Sequence, residues 1–173
     1  YLMYIAKVQY GLRPLAVNLD NGWSSNIAVE NIKKITKALD IDLETYVIDY
    51  EEVKAVLRAY LKAALPWVDG PTDHAIKSVL FTTAEREGIK YVLNGSDFRS
   101  EGKQPSEWTF TDAKQMLYII KKFEGLRLKS YPYQKITAFI DSSFIKKIKA
   151  YRPFNSINYE KKSAQEFLIK EYG

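Results

Sequence analysis

Apolar groups fall at helical spacing across the first ten residues, at Leu2, Ile5, Ala6 and Gln9 to Tyr10, and Gly11 stands where a helix C′ glycine belongs. The chain therefore opens inside a helix, and the natural protein is expected to be longer at this end. Pro14 to Leu19 reads as a short strand and Asp20-Asn21-Gly22 as a turn. Ser24 or Ser25 can cap a helix to about Leu39, with Ile27, Ile32, Ile35 and Leu39 on one face. Leu43 to Ile48 is a second strand. Asp49 with Glu52 three residues on predicts a capping-box start for a helix to about Ala64. Pro66 to Pro71 reads as a loop. Thr72 or Asp73 caps the next helix, which buries Ile76, Val79, Leu80 and Ala84 and stops at Gly88.

Ile89 to Leu93 is a third strand. It runs into Asn94-Gly95-Ser96-Asp97 and a polar loop through Gly102 to Pro105. Beyond it the alternation weakens. Asp112 to Phe123 and Tyr133 to Lys147 read as helices, and Lys149 to Phe154 as a final strand. Asn158 caps a last helix containing Ala164, Phe167 and Leu168. The strand–helix–strand rhythm of the first hundred residues predicts an α/β fold with a parallel sheet covered on both faces. One domain spans 1–173, with a sheet core over 1–105 and a mostly helical part over 106–173.

Length and composition narrow the function classes. The 173 residues are 46% hydrophobic and 27% charged, enough for a sizeable core, which excludes a wholly disordered tail. With no cysteine, these residues hold no disulfide, no thiolate nucleophile and no Cys-ligated zinc. No apolar run approaches the roughly 20 residues that span a bilayer, and no secretory signal is present, so no membrane partner and a cytoplasmic location are expected. The net charge of +5 suits anionic partners, but the lysines are spread over many segments and solvated helix faces explain most of it.

In an open parallel sheet, ligands bind beyond the carboxyl ends of the strands. Polar turns cluster there: Asp20-Asn21-Gly22-Trp23 after the first strand, and Asn94-Gly95-Ser96-Asp97 with Arg99, Ser100 and Glu101 after the third. The helix before the third strand starts with Thr72-Asp73-His74. Taken singly, each is an ordinary turn, cap or surface histidine. Together they form a candidate nucleotide site. Gly95 and Ser96 allow backbone N–H groups close to a phosphate, Asp97 and Glu101 are hard oxygen ligands suited to Mg²⁺, and Gly22 with Trp23 can hold a flat base. Neither a Walker-type nor a dinucleotide-type glycine loop occurs.

The succession PLAVNLDNGW, TYVIDYEE, PTDHAI and YVLNGSDFRSEG, with the tail YRPFNSINYEKKSAQEFL, resembles the PP-loop ATP pyrophosphatase superfamily. More narrowly it resembles the N-acetyl sugar amidotransferases of lipopolysaccharide and surface-glycan biosynthesis. The resemblance covers nearly the whole chain. It implies a three-layer α/β/α, Rossmann-like fold of the adenine nucleotide alpha hydrolase type. It also implies a serine/glycine-rich phosphate loop, Ser-Gly-Gly-x-Asp-Ser, and a central first strand preceding Tyr1. A Gly- and His-containing segment after the last helix and a cysteine-bearing N-terminal segment, usual in relatives, are absent from these residues. Residues 1–173 alone are therefore expected to be inactive, and without that strand to fold poorly or to pair as a homodimer.

The resemblance implies ATP and Mg²⁺ as cofactors. It places Asp20, Asn21, Gly22 and Trp23 toward the adenosine, and Asn94, Gly95 and Ser96 toward the phosphates. Asp97 and Glu101 are the implied metal ligands, Glu101 standing six residues after Gly95 like the acidic ligand of the related NAD synthetase motif. Lys77 or Arg99 is expected near phosphate, and Thr72, Asp73 and His74 near the sugar or the phosphates. The implied reaction adenylates the acetamido oxygen of a nucleotide-linked N-acetyl sugar and replaces it with ammonia from a partner glutaminase. Two alternatives stay open: a PP-loop enzyme that adenylates tRNA for thiolation, and an adenine-nucleotide-binding module without turnover. No Arg-rich stripe demands a nucleic acid, and the 13 Tyr residues at helical spacing read as core and rim.

Overall fold

Alternating strands and helices dominate the computed structural model, which describes residues 1–101 and 112–173, the side chains of 100 and 101 excepted. Helix α1 (Leu2–Tyr4) continues as a wider π-helical stretch over Ile5–Gln9, where Tyr10 N donates to the Ile5 carbonyl at 3.0 Å. Gly11, at φ +61, takes the left-handed turn expected of it. Strand β1 (Leu15–Asp20) precedes helix α2 (Asn26–Ala38), and Ser25 accepts from Ala28 N as its N-cap. Ile27 departs from the predicted apolar face and is 71% exposed; Leu39 and Thr36 are the buried residues at that helix's C-terminal end.

Strand β2 (Asp42–Val47) leads into helix α3 (Tyr50–Lys62). The predicted capping box is only half formed. Asp49 accepts from Glu51 N, while the Glu52 carboxylate faces another part of the chain. It accepts from the backbone N–H groups of Lys129 (2.5 Å), Ser130 (2.9 Å) and Tyr131 (2.7 Å), and from the Ser130 hydroxyl at 3.0 Å. A single return bond to one N–H cannot compete with four donors converging on one carboxylate.

Helix α4 (Gly70–Arg86) starts earlier than the pattern predicted, after Asp69, so Thr72 and Asp73 lie in its first turn and are not caps. Pro71 is favourable at a helix start because its missing N–H would have no partner there. The buried face also differs: Ala75, Ser78, Val79, Phe81 and Ala84 are inside, whereas Ile76 is exposed. Gly88, at φ +68, follows as predicted.

Strand β3 (Tyr91–Leu93) is followed by the short helix α5 (Phe98–Glu101). Helix α6 (Ala113–Glu124) is capped by Asp112, which accepts from Gln115 N. The helix expected from Tyr133 begins at α7 (Ile136–Ile140) and ends in a π-helical turn over Asp141–Ile145. Strand β4 (Lys149–Tyr151) is half the predicted length, because Pro153–Asn155 turns into a 3-10 helix. Helix α8 (Lys161–Tyr172) starts after Glu160, not at Asn158.

The described strands form two separate two-stranded parallel sheets. Strand β1 pairs with β2 from Leu15↔Asp42 to Asp20↔Val47, and β3 pairs with β4 from Tyr91↔Lys149 to Leu93↔Tyr151. Helix α4 packs against both β1 and β3 and so links the two sheets. One core joins Val53, Val56 and Tyr60 of α3 to Met116, Ile119 and Ile120 of α6, with Leu128 and Tyr131. A second joins Phe81 and Ala84 of α4 to Val92 and Ile148. Among the described residues, no helix is long and apolar enough to cross a membrane.

Candidate functional site

The turn after β1 is built by its own side chains. Asp20 Oδ1 accepts from Gly22 N at 2.9 Å, and Asn21 Oδ1 from Trp23 N at 3.1 Å. These Asx bonds consume the N–H groups that would otherwise compete with the strand ladder. Gly22 sits at φ +77 flat against the Tyr50 ring, where an added Cβ would stand 2.7 Å from Tyr50 Cδ2. The Trp23 indole meets the same ring edge-on at 5.8 Å and is 57% exposed. The turn thus presents an accessible aromatic wall. Gly22→Ala should cost about 2 kcal/mol, from the left-handed backbone and the clash together. Chemical denaturation checks this; an unchanged midpoint would mean that Tyr50 swings aside without cost.

The turn after β3 is organised in the same way. Asn94 N donates to the Tyr151 carbonyl at 2.8 Å, extending the β3–β4 ladder, and Asn94 Oδ1 accepts from Ser96 N at 2.8 Å. Gly95 faces Phe154 and Leu2, but only at distances where a Cβ would make ordinary contacts. The Ser96 hydroxyl oxygen is buried with no hydrogen-bond partner among the described residues. A buried polar atom left so costs about 1–3 kcal/mol unless something bonds to it.

Asp97 and Arg99 serve each other. Asp97 is 2% exposed, and its Oδ1 accepts both Arg99 N and Arg99 Nε at 3.0 Å. The Arg99 guanidinium also donates to the carbonyls of Phe154 and of Ile157, the latter at 3.0 Å. Through Nε and Nη2 it braces the turn to the chain before α8. Glu101 ends α5, and its side chain lies outside the described residues. Among the described residues no group of three or more metal-ligating side chains comes together. The expected pairing of Asp97 with Glu101 at Mg²⁺ thus falls outside the described residues.

The first two turns of α4 carry the other candidates. The Thr72 side chain hydrogen-bonds the buried Tyr131 hydroxyl, whose pKa is pushed up chiefly by burial. Asp73 is exposed at the positive end of the helix, where a carboxylate is favourable. His74 Nε2 accepts from Gln134 N at 3.3 Å. Burial, then the nearby Lys77 charge, lowers its pKa, so the ring stays neutral and can accept. The Lys77 ammonium sits 4.1 Å above the Phe139 ring. Its pKa is lowered by partial burial and by the Arg152 charge.

Arg152, one residue past the end of β4, is a group the sequence reading did not single out. Its position after a strand at the edge that β3 shares was the available signal.

Residues 94–99 thus form one unit with Phe154 and Ile157, and His74 and Lys77 stand in the first two turns of α4. Among the described residues, no hydrogen bond or ring contact joins the Asp20–Trp23 turn to the Asn94–Asp97 turn. Two open clefts lie elsewhere, one of about 680 Å³ beside Glu85, Arg86 and Gln134, and one of about 630 Å³ between α2 and α8. No protein-family model, no curated protein and no solved structure matches the chain.

Proposed function

We propose that this chain is the nucleotide-binding body of an ATP-dependent amidotransferase of the PP-loop superfamily, acting on a nucleotide-linked N-acetyl sugar. The Asn94–Asp97 turn carries this reading. It lies at the carboxyl end of a parallel strand, its backbone is held by its own side chains, and its Ser96 hydroxyl is buried with bonding capacity unused. The ordered motifs around LDNGW, PTDHA and NGS support it. In this reading the two parallel pairs belong to one three-layer sheet, with a further strand between β1 and β3. Helix α4, packed on both, supports that arrangement.

The Asp20–Trp23 turn fits the adenosine, because the exposed Trp23 indole, packed edge-on against Tyr50, leaves a flat face for a base. The Asn94–Ser96 turn and Lys77 serve the phosphates, the lysine offsetting charge on a departing pyrophosphate. Thr72, Asp73 and His74 face the sugar side. ATP supplies the adenylyl group that turns the acetamide oxygen into a leaving group. Ammonia comes from a glutaminase partner, since these residues hold no cysteine nucleophile.

The test is an assay of protein expressed from its natural reading frame with ATP, ammonium and UDP-linked N-acetyl sugars. AMP and pyrophosphate should appear in equal amounts, together with an amidine product. No AMP with any sugar, together with no ATP binding, would overturn the reading.

A further inference from the structure

The positive charge of this chain is concentrated in one stretch. Residues 125–159 carry seven Lys and Arg against one carboxylate, Asp141, leaving 19 Lys and Arg against 20 Asp and Glu elsewhere. The same stretch holds an apolar helix face that stands open to solvent among the described residues. Helix α7 and the π-helical turn after it form one continuous helix over 136–145. Its inner side is fixed. Phe139 packs on Phe81 of α4 with ring centroids 5.4 Å apart, Ser142 is fully buried, and Lys146 pairs with Glu85 and Asp141. Its outer side carries Ile136, Ile140 and Phe144 at four-residue spacing, all exposed.

The π-helical turn widens this face. Lys146 N donates to the Asp141 carbonyl, five residues back, at 2.9 Å. The extra residue in the turn brings Ile145 round beneath Ile140, where a regular α-helix would rotate it away. Phe144 and Ile145 are 75% and 73% exposed and project furthest. Exposed lysines flank the face, Lys135 at the N-cap and Lys147 two residues past Ile145. Among the described residues neither has an ion pair, whereas Lys146 neutralises Asp141, the one carboxylate of the stretch.

We propose that this face docks on an anionic lipid surface, with Phe144 and Ile145 entering the acyl boundary and Lys135 and Lys147 meeting the headgroups. A helix lying in the interface needs apolar side chains on one side and cations beside them. The expectation of no membrane partner rests on spanning length, which this contact does not need. Charge decides the occupant. A second copy of the chain would bring two cationic stretches together, and these repel. An anionic membrane offers negative potential for the lysines and apolar depth for the projecting side chains. The proposal stands apart from the amidotransferase reading and does not depend on it.

The test is co-sedimentation of protein expressed from its natural reading frame with vesicles of phosphatidylcholine and phosphatidylserine in equal parts. The protein should bind these vesicles and leave vesicles of phosphatidylcholine alone in suspension. Phe144→Ser should weaken binding about tenfold, the scale of burying one large apolar side chain. Lys135→Gln and Lys147→Gln should each weaken it roughly fivefold. Ile27→Ser and Lys33→Gln, which change exposed apolar and cationic positions on α2, should each alter it less than twofold. The thermal midpoint reports whether each variant is folded, and at these exposed positions it should move little. Equal weakening by Ile27→Ser and Phe144→Ser would mean non-specific adsorption and would overturn the proposal. So would binding indifferent to Phe144→Ser, equal binding to both vesicles, or binding to neither. A dimer in light scattering that Phe144→Ser dissociates would assign the face to a second copy and overturn it too.

Discussion

Glu52→Ala should destabilise the protein by roughly 3–5 kcal/mol, on the scale of removing one partner from a buried charged network. The carboxylate is 7% exposed and collects three consecutive backbone N–H groups and a hydroxyl from residues 129–131. Its loss strands those donors in the α3–α6 core, beside Tyr131 and Leu128. The same loop is held by Ser130, which accepts Asp49 N at 2.9 Å and whose carbonyl accepts the Tyr46 hydroxyl. Tyr131 in turn reaches Thr72 at the start of α4, so the damage should spread to the candidate site. A drop in melting temperature on the order of 10 °C is expected for a chain of this size. A drop under 3 °C would mean that water replaces the carboxylate at little cost. Glu52→Gln should lose about half as much, because the amide keeps one acceptor but turns its NH₂ toward an N–H.

The same carboxylate predicts an acid-dependent step. Burial pushes its pKa up, but the hydrogen bonds from Lys129, Ser130 and Tyr131 outweigh this and hold it below the ordinary value of 4.5. A depressed pKa in the folded state adds stability that is complete above 4.5, where both folded and unfolded chains are ionised. Below that the unfolded chain takes up the proton first. The contribution then fades until the pH passes through the lower folded-state pKa. The difference in unfolding free energy between the natural protein and Glu52→Gln should therefore shrink as the pH falls from 6 to 3. A constant difference across that range would contradict the linkage.

Arg99→Ala should cost roughly 2–3 kcal/mol, less than a fully buried pair because the arginine side chain is 40% exposed. The change removes the Arg99 ion pair from buried Asp97 and releases the carbonyls of Phe154 and Ile157. The Asn94–Asp97 turn should then loosen from the aromatic stack in which Phe154 lies parallel to Tyr159 at 4.1 Å. Arg99→Lys should recover less than half, since an ammonium cannot span a carboxylate and two carbonyls at once. Urea denaturation reads the stability. Pyrophosphate titration of the folded fraction separates the two possible roles of this residue. A brace leaves the affinity within about twofold; a phosphate ligand would lower it about tenfold.

What the pattern of residues could determine is what local rules govern. Ser25 and Asp112 cap their helices and Gly11 and Gly88 end theirs because each decision involves groups within four residues, all visible in a short window. The Asx turns at Asp20–Trp23 and Asn94–Ser96 were legible for the same reason, and so was the placement of both at strand ends.

Only the tertiary structure decided which partners those residues take. Glu52 stands three residues after Asp49, yet it serves an N–H cluster 77 to 79 positions away, because several converging donors outweigh one local bond. Arg99 looks like a phosphate ligand in the sequence, yet its Nη2 is held by carbonyls 55 and 58 residues on. Ile27 has helical spacing with its neighbours, yet it is exposed. The pairing of β1 with β2 and of β3 with β4 depends on chain closure between segments that share no local signal. Periodicity states which face of an element is apolar; which element covers it, and which charges then become neighbours, follows only from how the whole chain packs.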